Sequence, residues 1–190
     1  MCALRADVWD LARPATTESL LASPPRSPRR LEPARLEGHR ARLFRAAYAL
    51  SRSREDAEDL VQETYEHVLR RPRFLRSDND AAYLMRVLRT RWQALAESAA
   101  YRRSSPMSPD DLEWVAAGAA EDEGARTVEV KRAYAAIGDL SEPLRETLVA
   151  VDIIGLSYKE AARALGTRKG TIMSRLYRAR ERVVAALEGT

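Results

Sequence analysis

The stretch SYKEAARALGTRKGTIMSRLYRARERV, residues 157–183, decides the fold of the C-terminal part of this 190-residue chain. Ser157 and Glu160 have the spacing of a capping box, in which each side chain bonds the backbone of the other residue, so a helix is predicted to begin here. Small apolar residues follow at helical spacing and would let another helix cross closely. Gly166 then predicts a tight turn, because glycine adopts a left-handed backbone at little cost.

A second helix is predicted from about Arg168 onward, with Thr167 as its candidate cap. Ile172 and Leu176 are four residues apart and are expected to face the core. The side chains left for the outer face are Arg168, Lys169, Thr171, Ser174, Arg175, Tyr177 and Arg178. A short helix, a glycine turn and a second helix that displays hydrogen-bond donors together predict a helix-turn-helix.

The charge of this segment separates two interpretations of it. An arginine-rich helix is often only the solvated face of a helical bundle, because arginine is a good helix former. From residue 157 to the end, however, the chain has eight basic and three acidic residues, a net charge of +5 on a small module. Such an excess favours binding to DNA phosphates.

Residues 36–103 also have a helical pattern. In REDAEDLVQETYEHVLRR, residues 54–71, one apolar stripe consists of Ala57, Leu60, Val61, Tyr65, Val68 and Leu69. In AAYLMRVLRTRWQALAESAAYRR, residues 81–103, another consists of Leu84, Val87, Leu88, Trp92 and Leu95. The same spacing places Tyr83 on the core side with Trp92. Amphipathic stripes of this kind predict a small helical domain.

The composition changes on both sides of residues 104–126, which contain proline, serine, glycine and six acidic residues. This segment is predicted to be a flexible acidic linker. Residues 1–35 are rich in proline, serine and arginine and predict a disordered basic arm, or a plain tail. Residues 127–190 resume the helical pattern, with Val128 on an apolar stripe and Ser141 as a candidate cap. The fold class expected is all-α, with two small helical domains and no strands.

Several function classes lack any support in this sequence. Cys2 is the single cysteine, and His39 and His67 are the only histidines. None of them lies in a nucleophile or metal-binding motif, and no glycine-rich phosphate loop is present. We therefore expect no catalytic residues, no metal, no cofactor and no enzymatic activity. No apolar run has membrane-spanning length and no secretory signal is apparent, so we expect a cytoplasmic protein without membrane insertion.

Two motifs carry a resemblance to a known family. REDAEDLVQETY, residues 54–65, resembles the most specific short motif in the first helical domain of bacterial RNA polymerase sigma factors of the extracytoplasmic-function (ECF) group, in the sigma-70 family. GDLSEPLRETLVAVDIIGLSYKEAARALGTRKGTIMSRLYRARERV, residues 138–183, resembles the C-terminal domain of the same family. The resemblance covers roughly residues 36–187, in the family's order.

The resemblance implies a sigma factor that directs promoter recognition, promoter melting and transcription initiation. A sigma-2-like domain at 36–103 would bind the polymerase clamp and the −10 element, and a sigma-4-like domain at 127–190 would bind the −35 element. The implied partners are core RNA polymerase, through its beta-prime clamp and beta flap, promoter DNA, and an anti-sigma factor. The acidic linker resembles the segment that relatives thread through the polymerase, and a plain tether explains its composition equally well.

The implied functional residues fall into three groups. The polymerase-binding positions are Asp56, Asp59, Gln62 and Glu63. The −10 positions are Phe74, Arg86, Arg89, Thr90, Arg91, Arg102 and Arg103. The −35 positions are Arg168, Lys169, Thr171, Met173, Ser174, Arg175, Tyr177 and Arg178.

Thr90 and Met173 are among the positions that depart from the family's pattern. Thr90 stands where many relatives carry an asparagine that helps to hold a flipped base. Met173 stands where relatives often have arginine or lysine, and methionine cannot form a bidentate bond to guanine, so a different −35 preference is expected. The alternative function is a stand-alone helix-turn-helix regulator. It would need a dimerisation element, which this sequence does not suggest, and would leave residues 36–103 without a role.

Overall fold

The computed structural model describes residues 29–31, 33–70, 74–75, 79–97 and 123–189. It is all-α, as expected, apart from one pair of two-residue strands, β1 (Arg29–Arg30) and β2 (Phe74–Leu75). The helices of the N-terminal unit are α1 (Pro33–Glu37), α2 (Arg40–Ser51), α3 (Arg54–Arg70) and α4 (Asp80–Glu97). Those of the C-terminal unit are α5 (Glu123–Gly138), α6 (Glu142–Leu148), α7 (Tyr158–Ala164) and α8 (Lys169–Glu188), and a π-helical turn, Val149–Ile153, continues α6.

The N-terminal unit is built around α2, which packs against both α3 and α4. Arg52 ends α2 with a left-handed backbone (φ 63°), and Ser53 caps α3 by accepting a hydrogen bond from the backbone N–H of Asp56 at 3.3 Å. Trp92 and Tyr83 are buried in this unit, as their spacing predicts. Leu69, by contrast, is 47% exposed, so the expected apolar stripe of α3 stops at Val68.

The end of the N-terminal arm is ordered, contrary to the expectation for residues 1–35. Residues Arg29 and Arg30 pair antiparallel with Leu75 and Phe74. Leu31 is buried, and the helix α1 that follows receives a 2.9 Å hydrogen bond from the Tyr65 hydroxyl at its Leu36 carbonyl. These backbone and apolar contacts stabilise residues 29–31 and 33–35. Such short pieces have no periodicity that a sequence pattern could detect, and residues 1–28 lie outside the described part.

The C-terminal unit contains the expected helix-turn-helix. Ser157 and Glu160 form the capping box at the start of α7, and Gly166 makes the turn with a φ of 65°. Ile172, Leu176 and Val183 of α8 are buried against the rest of the unit. Arg180 donates two hydrogen bonds to Asp152 of the π-helical turn, one of them at 3.0 Å from Nε, and this pair fixes α8 against the end of α6.

Four local expectations in this unit need correction. Helix α5 begins at Glu123, so the last four residues of the expected linker are helical, and residues 104–122 lie outside the described part. Val128 is 56% exposed because it lies near the start of α5, before that helix reaches the core. Ser141 stands at the N-cap of α6 without a side-chain capping bond. The N-cap of α8 is Arg168 rather than Thr167, and its side chain also makes no capping bond.

The two helical units pack against each other through α2. Its residues Leu43, Phe44 and Ala46 to Ser51 are all buried, because α3 and α4 cover one side and α5, α6 and the π-helical turn cover the other. Tyr48 meets the ring of Tyr134 edge-on at 5.5 Å between centroids. The buried apolar residues therefore form one continuous core across both units.

Polar side chains complete the contact between the units. Arg145 of α6 donates to the Leu50 carbonyl of α2 at 3.0 Å. Asn79 donates to the Glu160 carboxylate at 2.7 Å. Glu146 of α6, with a side chain only 5% exposed, accepts from Arg89 Nε of α4 at 2.8 Å. A buried carboxylate is costly unless it is paired, so the Arg89–Glu146 pair is the electrostatic centre of this interface.

We expect Arg89→Met to destabilise the packed chain by about 3 kcal/mol at neutral pH, because it leaves the Glu146 carboxylate without its guanidinium. Burial raises the pKa of Glu146, nearby Glu142 adds to the rise, and Arg89 and Arg175 oppose it. A carboxyl group whose pKa is higher in the folded chain opposes folding as the pH rises above its pKa in the unfolded chain, and this cost disappears below that pKa. The loss should therefore shrink as the pH falls and Glu146 becomes protonated.

Urea unfolding followed by circular dichroism at several pH values measures this effect. Arg86→Met is the matched control, since Arg86 is an exposed arginine of the same helix that contacts only the Tyr83 ring among the interactions described, at 5.4 Å. The control should cost less than about 1 kcal/mol. Equal losses for the two variants, or a loss for Arg89→Met that does not depend on pH, would show that Glu146 does not depend on Arg89.

Candidate nucleic-acid interface

Helix α8 presents a basic outer face opposite its buried stripe. The exposed side chains on this face are Arg168, Lys169, Met173, Ser174, Tyr177 and Arg178, and Thr171 and Arg175 are half-buried at its edge. An amphipathic helix that is held by its apolar side after a tight turn leaves this face free to enter a DNA groove. All eight residues expected at the −35 element therefore lie on or beside one surface.

Two of these side chains have partners that limit how they could meet DNA. The Ser174 hydroxyl donates to the Thr171 carbonyl at 3.1 Å, so its oxygen remains available as an acceptor. An acceptor at this place suits the amino group of adenine or cytosine in the major groove. Arg175 is half-buried, and its positive charge is one of those that oppose the rise in the pKa of the Glu146 carboxyl group.

The first turn of α8 is open. A Cβ atom added to Gly170 would meet no heavy atom within 4 Å, so nothing in the described part of the fold requires a glycine there. Glycine within a helix costs about 1 kcal/mol relative to alanine. Arg168, the N-cap residue, makes no side-chain capping bond to the backbone N–H groups of this turn. A glycine and free N–H groups at a basic helix start suit the close approach of a phosphate.

Helix α4 presents fewer of its expected −10 residues. Arg86 and Thr90 are exposed one turn apart, and the Thr90 hydroxyl donates to the Arg86 carbonyl at 3.0 Å. Arg89 is engaged by Glu146 and Arg91 donates to Nδ1 of His67 at 2.6 Å. Only β-strand backbone is described for Phe74, and Arg102 and Arg103 lie outside the described residues.

The four residues expected to bind polymerase all lie on α3. Asp59, Gln62 and Glu63 are exposed on its outer side, away from Leu60 and Val61 in the core. Gln62 donates to the Glu66 carboxylate at 3.1 Å, which extends the acidic surface by one turn. Asp56 is half-buried at the start of the helix, and this burial raises the pKa of its carboxyl group.

Sequence reasoning missed the residues that join the two units. Glu146, Asn79 and Gln93 read as ordinary surface residues, yet Glu146 accepts from both Arg89 and Gln93, and Asn79 binds Glu160. Their only signal is tertiary, since each partner is more than 50 positions away. Among the described residues, no three potential metal ligands lie together, and no helix is long and apolar enough to cross a membrane.

Two family models match the chain, one on each side of the linker. The model described as Sigma-70 region 2 matches residues 36–103. The model described as Sigma-70, region 4 matches residues 131–183. The first therefore contains α2, α3 and α4, and the second contains α6, α7 and most of α8.

Curated relatives match across both units. The chain is 31% identical over 150 residues to the ECF RNA polymerase sigma factor SigE of Mycolicibacterium smegmatis. This alignment covers 76% of this chain and 57% of SigE. The chain is also 32% identical over 142 residues to the ECF RNA polymerase sigma factor EcfG of Rhodopseudomonas palustris. That alignment covers 74% of this chain and 76% of EcfG. The match thus covers little more than half of one relative and three quarters of the other.

A solved structure also resembles this fold. The sigma factor RpoE from Bartonella quintana, in complex with the anti-sigma factor NepR, is 25% identical with a TM-score of 0.57. The alignment covers 82% of this chain and 96% of that one. The likeness therefore extends over both helical units.

We expect Gly170→Ala to raise the free energy of unfolding by up to about 1 kcal/mol and yet to weaken DNA binding severalfold, because the added methyl group would stand where a phosphate approaches. Urea unfolding and a DNA-binding titration measure the two effects on one protein. Ala185→Gly is the matched control, since it makes the opposite exchange at an exposed position fifteen residues after Gly170, near the other end of α8. It should lower stability and leave DNA affinity unchanged. Unaltered or stronger DNA binding by Gly170→Ala would contradict the assignment.

Proposed function

Because this chain belongs to the sigma-70 family of bacterial RNA polymerase sigma factors, in its extracytoplasmic-function group, we propose that it binds core RNA polymerase and directs it to initiate transcription at a defined set of promoters. The proposal rests on the order of the two matched regions along the chain. The region-2 match contains the acidic outer side of α3, and the region-4 match contains the basic outer face of α8. The protein supplies binding surfaces rather than catalytic groups. It acts in the cytoplasm, where transcription takes place.

The outer side of α3 is the proposed contact with the polymerase clamp. Asp59, Gln62 and Glu63 are exposed there, and Glu66 continues the surface. An acidic surface on a chain with a net charge of +4 favours a basic partner and steers its approach. The beta flap would be contacted by the C-terminal unit.

The outer face of α8 is the proposed reader of the −35 element. Ser174 and Arg178 are four residues apart and both exposed, so they can reach base edges from one face. Arg168 and Lys169 are exposed beside them at the start of the helix and suit phosphate contacts.

The proposed −10 surface begins with two exposed residues of α4, Arg86 and Thr90. Its further proposed members are Phe74, Arg89, Arg91, Arg102 and Arg103. Arg89 cannot direct its Nε–H at a phosphate while that group donates to Glu146 at 2.8 Å, so we infer that Arg89 joins the −10 surface fully only when the two units separate.

The geometry of DNA leads to the same requirement. The −10 and −35 elements are about 25 base pairs apart, or roughly 85 Å at 3.4 Å per base pair. The 25 residues between Glu97 and Glu123 can span at most about 80–90 Å when extended. The segment is thus just long enough for both units to bind one promoter, provided that they leave the packed arrangement.

An anti-sigma factor is the proposed negative regulator. Support comes from the likeness to RpoE of Bartonella quintana, whose structure contains the anti-sigma factor NepR. A protein that binds both units would prevent their separation. The alternative role as a stand-alone helix-turn-helix regulator would leave the region-2 match and the acidic face of α3 without a function.

Reconstitution with core RNA polymerase tests the proposed function. The full chain, core enzyme and fragmented genomic DNA from the source bacterium should yield new transcription starts with a shared sequence upstream. Core enzyme alone should not produce these starts. Failure of the chain to bind core enzyme, together with specific DNA binding by the chain alone, would instead support the stand-alone regulator.

We expect the double variant Asp59→Lys/Glu63→Lys to weaken binding to core polymerase at least tenfold, because reversing two charges on one helix face replaces attraction by repulsion. The matched control is Glu37→Lys/Glu129→Lys, which makes the same charge change at exposed acids on other helices. A fluorescence titration with core enzyme measures both affinities, and circular dichroism checks that both variants are folded. Similar affinities for the two double variants would place the polymerase contact elsewhere.

A further inference from the structure

A short N-terminal strap, residues 29–31 and 33–37, contacts the chain that connects α3 to α4. Its strand β1 pairs antiparallel with β2 of that connection, with Arg30 opposite Phe74. The region-2 match begins only at residue 36, so most of the strap lies outside it. The match therefore assigns no role to these contacts.

The strap is also fixed to the helices on either side of the connection. The Tyr65 hydroxyl of α3 donates to the Leu36 carbonyl at 2.9 Å. Arg35 Nε lies 3.6 Å from the carboxylate of Asp80, the first residue of α4, which is only 4% exposed. The side chains of Leu31 and Leu36 are buried. One segment thus holds the connection itself, the helix before it and the helix after it.

The contacts of the strap differ in strength. A strand pair of two residues is marginal on its own, so burial of the two leucines is the main anchor. The core of the N-terminal unit, in contrast, is formed by α2, α3 and α4, which pack against one another. Release of the strap should therefore free residues 74–75 and leave these three helices folded.

We propose that the N-terminal strap is a positioning element for the −10 surface, and that it holds the backbone of Phe74 where this residue meets the −10 element. The inference rests on the proposed function, in which Phe74 belongs to that surface with Arg86 and Thr90. A loop that must become ordered when it binds loses affinity, because ordering its backbone costs free energy. Pairing with β1 orders residues 74–75 during folding, before DNA is bound.

The variant Arg29→Pro/Arg30→Pro tests the pairing, because it removes both backbone donors of β1. The matched control is Arg29→Thr/Arg30→Thr, which loses the same two charges but keeps both donors and suits a strand. Each full-length variant is assembled with core polymerase and titrated by fluorescence anisotropy against two probes from the strongest promoter found by reconstitution. One probe presents the −10 element with its bases unpaired, and the other contains only the −35 element.

The proline variant should bind the −10 probe about tenfold more weakly than the threonine variant, since ordering one backbone residue at the DNA lowers affinity by roughly this factor. The two variants should bind the −35 probe and core polymerase alike. Leu31→Ser, compared with Leu31→Met, repeats the test at the buried anchor. The serine variant should show the same selective loss, because a hydroxyl group is costly to bury in an apolar site.

Equal affinities for the −10 probe within both pairs of variants would overturn the inference and leave the proposed function intact. A uniform loss on both probes and on core polymerase, with a lower free energy of unfolding, would also overturn it, because the strap would then only stabilise the unit. A wild-type chain that forms no initiating holoenzyme would overturn the proposed function and this inference with it.

Discussion

Burial of the second half of α2 between the two units is the constraint on which the rest of the structure depends. From Leu43 to Ser51 every residue of this helix except the half-buried Arg45 is buried, because helices of both units pack around it. Neither unit could leave without exposing apolar surface, at a cost of about 25 cal/mol for each Å². The packed arrangement is thus a property of the shared core, and the polar contacts select how the units are oriented.

The same arrangement connects the candidate surfaces. Arg89, expected at the −10 element, neutralises Glu146, and Arg175, expected at the −35 element, lies near the same carboxylate. One buried acid on α6 therefore interacts electrostatically with a basic residue from each of the two helices that are proposed to bind DNA. DNA phosphates and Glu146 would compete for these arginines, so promoter binding and separation of the units favour each other.

Local rules were sufficient for much of the fold. The capping box at Ser157, the turn at Gly166 and the buried spacing of Ile172 and Leu176 each depend on a few adjacent residues. The outer face of α8 follows from the same spacing. The packing of the units could not be predicted this way, because LFRAAYAL, residues 43–50, has one arginine among apolar residues and suits burial on any side. Glu146 also reads as a surface residue until its distant partner Arg89 is known.

The distance between the units in the free chain and on a promoter is the most direct measurement. Spin labels at Glu37→Cys and Ala185→Cys, in a chain carrying Cys2→Ser, report this distance by pulsed electron resonance from two exposed positions. The free chain should give one population below about 40 Å, the diameter of a compact chain of this length. The holoenzyme on promoter DNA should give a separation on the order of 60–90 Å. A short distance in both states, or a long one in both, would contradict a packed form that opens to bind the promoter.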